Sequence, residues 1–188
     1  GATSDEKMKL RSAMALAEYK HVAHDLLVNS VPTAHPSECN NIVTALRHDR
    51  PKAVAALLEA VHQADARLDW NVKARDAICL LLLGEPASAA QMCRLRSDPA
   101  ERTAFIATLA KWHGDIGQLM TMAASTADDY LRSAICLGIG HVTLEGLNED
   151  IASAATNTLN DWYTEEPGAL LHSAAGWTLR QWQRPCPQ

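Results

Sequence analysis

The sequence predicts an all-α fold, a solenoid of antiparallel helix pairs, and three observations carry that prediction. First, apolar residues make up 47% of the 188 positions while aromatics make up only 5%. Alanine and leucine therefore supply the core, and both are strong helix formers. With one Phe and three Tyr, strands would lack their usual material. Second, apolar residues recur with the period of an amphipathic helix. Phe105, Leu109 and Trp112 form one such face. Leu171, Ala175, Thr178, Leu179 and Trp182 form another, and Val54, Leu57, Leu58 and Val61 a third. Third, the chain is internally similar. RSAMALAEY from Arg11, RDAICLLLL from Arg75, RTAFIATLAKW from Arg102, RSAICLGIG from Arg132 and HSAAGWTLRQW from His172 share one pattern. A basic residue is followed by a small polar or acidic one, then Ala, then an apolar run.

The starts of these segments lie 64, 27, 30 and 40 residues apart, so the first gap leaves room for one divergent unit. Steps of roughly 30 to 40 residues fit a repeat of two helices. The small residue of the pattern, Ala13, Ala77, Ala104, Ala134 or Ala174, lets a neighbouring helix approach closely. Four residues after the basic one, Cys79 and Cys136 share a position with Ala15, Ile106 and Gly176, which favours packing over cysteine chemistry.

Taken in order, the periodicity and punctuation predict helices near 4–17, 19–30, 37–47, 51–63, 71–83, 86–95, 99–112, 115–123, 128–140, 148–163 and 169–182. Thr3 with Glu6 fits a capping box at the first helix. Residues 31–37 read as a loop. Asp49 before Arg50-Pro51 marks a helix start, and Trp70 falls in a linker. Gly84-Glu85-Pro86 is a stop, since glycine fits a helix end and proline cannot continue it. In Asp98-Pro99-Ala100-Glu101, Asp caps, Pro fits the first helical position and Glu closes the box. His113 and Asp115 fall at a turn. Asn148 caps the next helix, and Pro167-Gly168 separates it from the last. Residues 1–183 thus form a single repeat domain, with 184–188 a tail or the start of a linker.

The 22 acidic residues outnumber the 17 basic ones, for a formal charge of −5. The cations are scattered, with no surplus or stripe of the kind that nucleic-acid binding uses, which argues against a nucleic-acid partner. The longest strongly apolar stretch, AICLLLLG at 77–84, is too short to span a bilayer. The opening GATSDEK has no signal-peptide core, and Gly in first place points to a trimmed start. Five irregularly spaced cysteines argue against a disulfide framework and make the cytoplasm the default compartment.

Candidate sites are few. His21, His24 and Asp25 could present two metal ligands on one helix, but HExxH is absent and no third ligand is assignable. The metal reading therefore stays with His21 and His24 alone, against a solvated polar face. His172 replaces arginine in the repeat and has no nucleophile beside it. Arg11, Arg75, Arg102 and Arg132 either bond to neighbouring turns or form an anion-binding ridge. Trp112, Trp162, Trp177 and Trp182 sit near helix ends, where indoles cover repeat seams or serve as partner hot spots. Trp177 and Trp182, with Arg180 between them, are the partner-binding candidates on the terminal helix. GIGHVTLEG lacks the GK[ST] ending of a phosphate loop. Gly138 and Gly140 read as packing positions, and Gly146 follows them. No catalytic residue and no cofactor site emerges.

HDRPKAVAALLEAV at 48–61, VKARDAICLLLLGEP at 72–86, YLRSAICLGIGHV at 130–142 and especially EEPGALLHSAAGWTLRQW at 165–182 resemble the HEAT-like helical region of multidomain bacterial proteins, notably of planctomycetes. There this region accompanies serine/threonine kinase and formylglycine-generating-type domains. His172, Ala174, Ala175, Trp177, Leu179, Arg180 and Trp182 match the family's last motif. The resemblance covers roughly residues 10–182 and implies a HEAT-like α–α superhelix without catalytic residues of its own. Kinase signatures are absent. The implied function is a non-catalytic scaffold for protein–protein or interdomain contacts, its partner a protein or a neighbouring domain of the same parent. Two alternatives stand beside it. One is a HEAT-like DNA-base glycosylase-type enzyme, which needs a basic groove with an acidic or aromatic pocket. The other is a small-ligand or metal-binding helical domain.

Overall fold

A computed structural model describes residues 4–18, 22–111, 114–144, 147–165 and 168–187. These residues are all-α. The helices are α1 (Ser4–Ala17), α2 (His24–Ser30), α3 (Pro36–Leu46), α4 (Arg50–Ala66), α5 (Trp70–Leu82), α6 (Ala87–Cys93), α7 (Ala100–Leu109), α8 (Ile116–Ser125), α9 (Asp129–Ile139), α10 (Glu149–Glu165) and α11 (Ala169–Gln181). A 3-10 turn, Arg47–Asp49, joins α3 to α4.

The chain packs as two compact units, residues 1–89 and 90–188, with the division inside α6. In the first unit α1 packs on α3 and α3 on α5, while α2 packs on α4. In the second, α7 packs on α9 and α9 on α11, while α8 packs on α10. Odd-numbered helices thus form one layer of each unit and even-numbered helices the other. Consecutive pairs, such as α4 with α5 and α10 with α11, join the layers. This sequential packing is that of stacked helix pairs.

The repeated alanines lie where the pattern requires. Ala13, Ala77, Ala104, Ala134 and Ala174 are all buried, each on an odd-numbered helix. Cys79, Cys136 and Gly176 are buried as well, whereas Ile106 is half-buried and Ala15 exposed. The closest approaches use glycine. A Cβ built on Gly138 of α9 would stand 2.4 Å from the Cβ of Leu109 on α7. One on Gly140 would stand 2.4 Å from the Trp177 ring.

Caps fix the boundaries. The Asp69, Asp115 and Asp128 carboxylates accept from the backbone N–H of Val72, Gln118 and Leu131, satisfying first-turn donors. Asn148 accepts from Asp150 N at 2.8 Å. His35 and Glu38 make a reciprocal box at α3. Asp98 accepts from Ala100 N and Glu101 receives Arg96, but α7 begins at Ala100 with Pro99 as its N-cap, so Pro99 stands one place before the first helical position expected of it. Gly84 ends α5 with φ +87°, a left-handed conformation that glycine adopts without a Cβ clash.

Three expectations are corrected. The helix expected over 19–30 begins at His24, because Val22 and Ala23 are not helical and Ala23 has ψ 73°. Trp70 is the first residue of α5, half-buried, with Asp69 capping ahead of it. The buried face of α4 is Ala53, Leu57 and Ala64; Leu58 is exposed, so the long side chains did not choose the face. Thr3, Trp112, His113, Gly146 and Pro167 lie outside the described residues. No helix among the described residues is long and apolar enough to cross a membrane.

Candidate functional site

The recurring basic residues act on helix ends. Carbonyls of a helix's last turn lack intrahelical partners and carry the negative end of its dipole, so a cation there satisfies both. Arg132 of α9 donates through Nε to the carbonyl of Thr126, the residue that ends α8, at 2.7 Å. Arg102 of α7 donates to Cys93 O, the end of α6, at 2.6 Å, and reaches Tyr130 O and Ser133 Oγ on α9. Arg75 of α5 donates to Val31 O and Ala34 O, beyond the end of α2. His172 of α11 bonds through Nδ1 to Tyr163 O in the last turn of α10, its ring stacked on the Tyr163 ring. Odd-layer basic residues therefore close the carboxyl ends of even-layer helices. Arg47 and Arg50 do the converse for α5, donating to Leu82 O and Leu83 O. This pair was missed in the sequence, although arginines flanking the turn before Pro51 were the signal.

The four repeat arginines are not alike in exposure. Arg102 is buried and Arg132 only partly accessible, the latter with its guanidinium 5.7 Å from the Trp162 ring centroid and 3.7 Å from Asp129. Arg11 is exposed on α1, and neither it nor Lys7 has a hydrogen-bond or ion-pair partner among the described residues.

Of the terminal-helix candidates, Trp182 is buried and its indole N–H donates to Val142 O at 3.0 Å. Trp177 is half-buried beside Gly140 and the His141 ring. Only Arg180 is fully presented to solvent, its Nη1 3.9 Å from Cys186 Sγ.

The first unit contains a solvent-facing groove of about 1010 Å³. One wall is α1, with Lys7, Lys9 and Arg11; the other is the turn after α2 and the start of α3, with Arg75 beneath. Leu10 and Leu26 add apolar lining. It brings together Arg11 and Arg75 of the expected ridge. A second groove, about 660 Å³ in the second unit, runs between α8 and α10 over small residues such as Gly117 and Ala154.

Several titratable groups are buried. Asp76 has no accessible surface, and neither carboxylate oxygen has a hydrogen-bond partner among the described residues. Burial pushes its carboxyl up to about 7, opposed by Arg67 and Arg75. The signal was its place one residue before the run Ala77–Leu83, in a helix apolar on every side. Lys73, also buried, is neutralised by Asp65 and lies 5.2 Å from the Trp70 ring. His24 is buried with Nε2 3.4 Å from Asp49 Oδ2, without hydrogen-bond alignment. His21 lies outside the described residues, and no cluster of three metal-ligating side chains occurs among those described. Burial raises the thiols of Cys39, Cys79, Cys93 and Cys136, the last to about 12.

Comparison of the chain with family models, curated proteins and solved structures finds no match in any of the three.

Proposed function

We propose that the chain is a HEAT-like helical-repeat scaffold that holds a protein partner or a neighbouring domain of its parent. The supporting observation is the repeated joint. Arg102, Arg132 and His172 each bond to the end of the preceding helix, so a basic residue at one repeat position joins successive pairs. Stacked helix pairs serve chiefly as long binding surfaces built on a rigid frame. On this reading the groove of the first unit is the surface offered to the partner; its lining is largely exposed.

The test is capture with the whole chain as bait, followed by reconstitution with the purified partner. A saturable, stoichiometric complex that leaves both proteins chemically unchanged is expected. Excision of a base from duplex DNA by the purified chain would overturn the scaffold reading in favour of a glycosylase.

A further inference from the structure

We propose that the groove between α1 and the start of α3 binds an acidic peptide segment, with Arg11 and Arg75 as the residues that take its carboxylates. The proposal rests on the scaffold reading and gives the partner a chemistry. Charge complementarity carries it. The chain as a whole has a formal charge of −5, yet this groove gathers Lys7, Lys9, Arg11 and Arg75 against Glu6 and Glu38.

The internal pairings single out which cations are available. Lys9 is held by Asp5 at 2.7 Å, and Glu38 accepts from His35 N at 3.1 Å as part of the α3 cap. Arg11 and Lys7 remain without a partner among the described residues. Arg75 is anchored through Nη1 by two backbone carbonyls, at 2.8 and 3.3 Å. Carbonyls fix a guanidinium's plane without neutralising its charge, and both bonds run through Nη1, which leaves the Nε–Nη2 edge of the fork to a carboxylate. Arg11 also departs from its repeat equivalents: Arg75, Arg102, Arg132 and His172 all bind backbone carbonyls.

The groove's shape selects a peptide. Its volume, about 1010 Å³, stands at the upper limit of small-molecule pockets, and its walls are exposed side chains such as Lys9, Thr33 and Ser37. Leu10 and Leu26 line it together with the cations, which suits a segment carrying both acidic and apolar residues. Nucleic acid asks for a longer basic track than one end of one unit supplies.

The experiment is fluorescence anisotropy on the whole chain with a labelled peptide of alternating glutamate and leucine. Saturable binding in the range of about 1–100 μM is expected, weakening with added salt. Arg11→Glu on the exposed face of α1 should weaken it at least about tenfold, since a charge-assisted pair becomes a repulsive one. Arg75→Lys, which keeps the charge but loses the fork, should weaken it by a smaller factor. Lys52→Glu, on an exposed position of α4 outside the groove, should change it less than about twofold. Equal binding by wild type and Arg11→Glu would overturn the proposal, as would no saturation by about 1 mM or tighter binding of a single-stranded oligonucleotide. The two readings fail separately. A captured partner that still binds Arg11→Glu leaves the scaffold standing and removes the groove; a chain that captures nothing removes the scaffold.

Discussion

Replacing Asp76 by Asn should make the protein less sensitive to rising pH, and the structure sets the size of the effect. Asp76 is fully enclosed, and its oxygens have no hydrogen-bond partner among the described residues. Burial therefore favours the protonated acid, raising its pKa from the ordinary 3.8 to about 7. Between those values the folded chain holds a proton that the unfolded chain has released. The unfolded state then binds fewer protons, so stability falls as pH rises. The fall starts near pH 4 and levels off above about pH 7. At 1.36 kcal/mol per pH unit, the whole penalty is about 4 kcal/mol.

About 1.6 kcal/mol of this has accrued by pH 5, leaving roughly 2–3 kcal/mol to be lost between pH 5 and pH 8. Asn leaves an unpaired polar group in the same place, but that cost does not depend on pH. Urea unfolding, followed by tryptophan fluorescence at intervals from pH 5 to 8, measures both proteins. The wild type should lose roughly 2–3 kcal/mol more than Asp76→Asn across this range, and Asn should gain most at pH 8. Parallel pH profiles would refute the reasoning, because they would mean that Asp76 is ionised at both ends or hydrogen-bonded in the fold.

Three further outcomes are expected. Arg102→Met should cost about 3 kcal/mol in the same assay, because it removes a buried donor from Cys93 O, Tyr130 O and Ser133 Oγ together. Arg132→Met, at a partly accessible site, should cost less. Gly138→Ala should lower stability by about 1–3 kcal/mol, since its Cβ would meet that of Leu109 at 2.4 Å and one helix must shift; an unchanged melting temperature would show that α7 and α9 are not so close. Of the five cysteines, only Cys186 is not buried, so a thiol reagent should modify one residue quickly in the native protein and five after unfolding. Fast native reaction of Cys79 or Cys136 would contradict their burial.

The layered helices were legible because their signals are local. The five repeated segments name all but one of the odd-layer helices, α3 being the divergent unit, and the buried alanines sit at the expected positions. Asn148 and Gly84 announce their boundaries by chemistry alone. What failed was the orientation of α4. The sequence places Val54, Leu57, Leu58 and Val61 on one stripe, yet alanines at 53 and 64 are the buried neighbours of Leu57. Small residues select a face by how closely a neighbouring helix approaches, and hydrophobicity does not record that distance. Trp70 was misplaced for a related reason. An indole can start a helix when Asp69 supplies the cap, and the cap outweighs the weak helix propensity of the ring.

The site divides along the same line. An arginine that closes a helix end and an arginine that awaits a carboxylate are written identically, because both use a cationic fork against oxygen. Position in the repeat says only that the guanidinium can reach an even-layer helix end. Whether it is spent there depends on which carbonyls the fold brings within about 3 Å. Arg102 and Arg132 find theirs at Cys93 and Thr126, while Arg11 finds none among the described residues. The same chemistry that stacks the helices thus leaves a recognition group where the pattern is incomplete. Trp182 follows the opposite course: its ring is buried and its N–H donates to Val142 O. On the proposed reading, a partner is met by a cation that packing leaves with an open edge, and Arg11 is the member of the pattern with the most of it open.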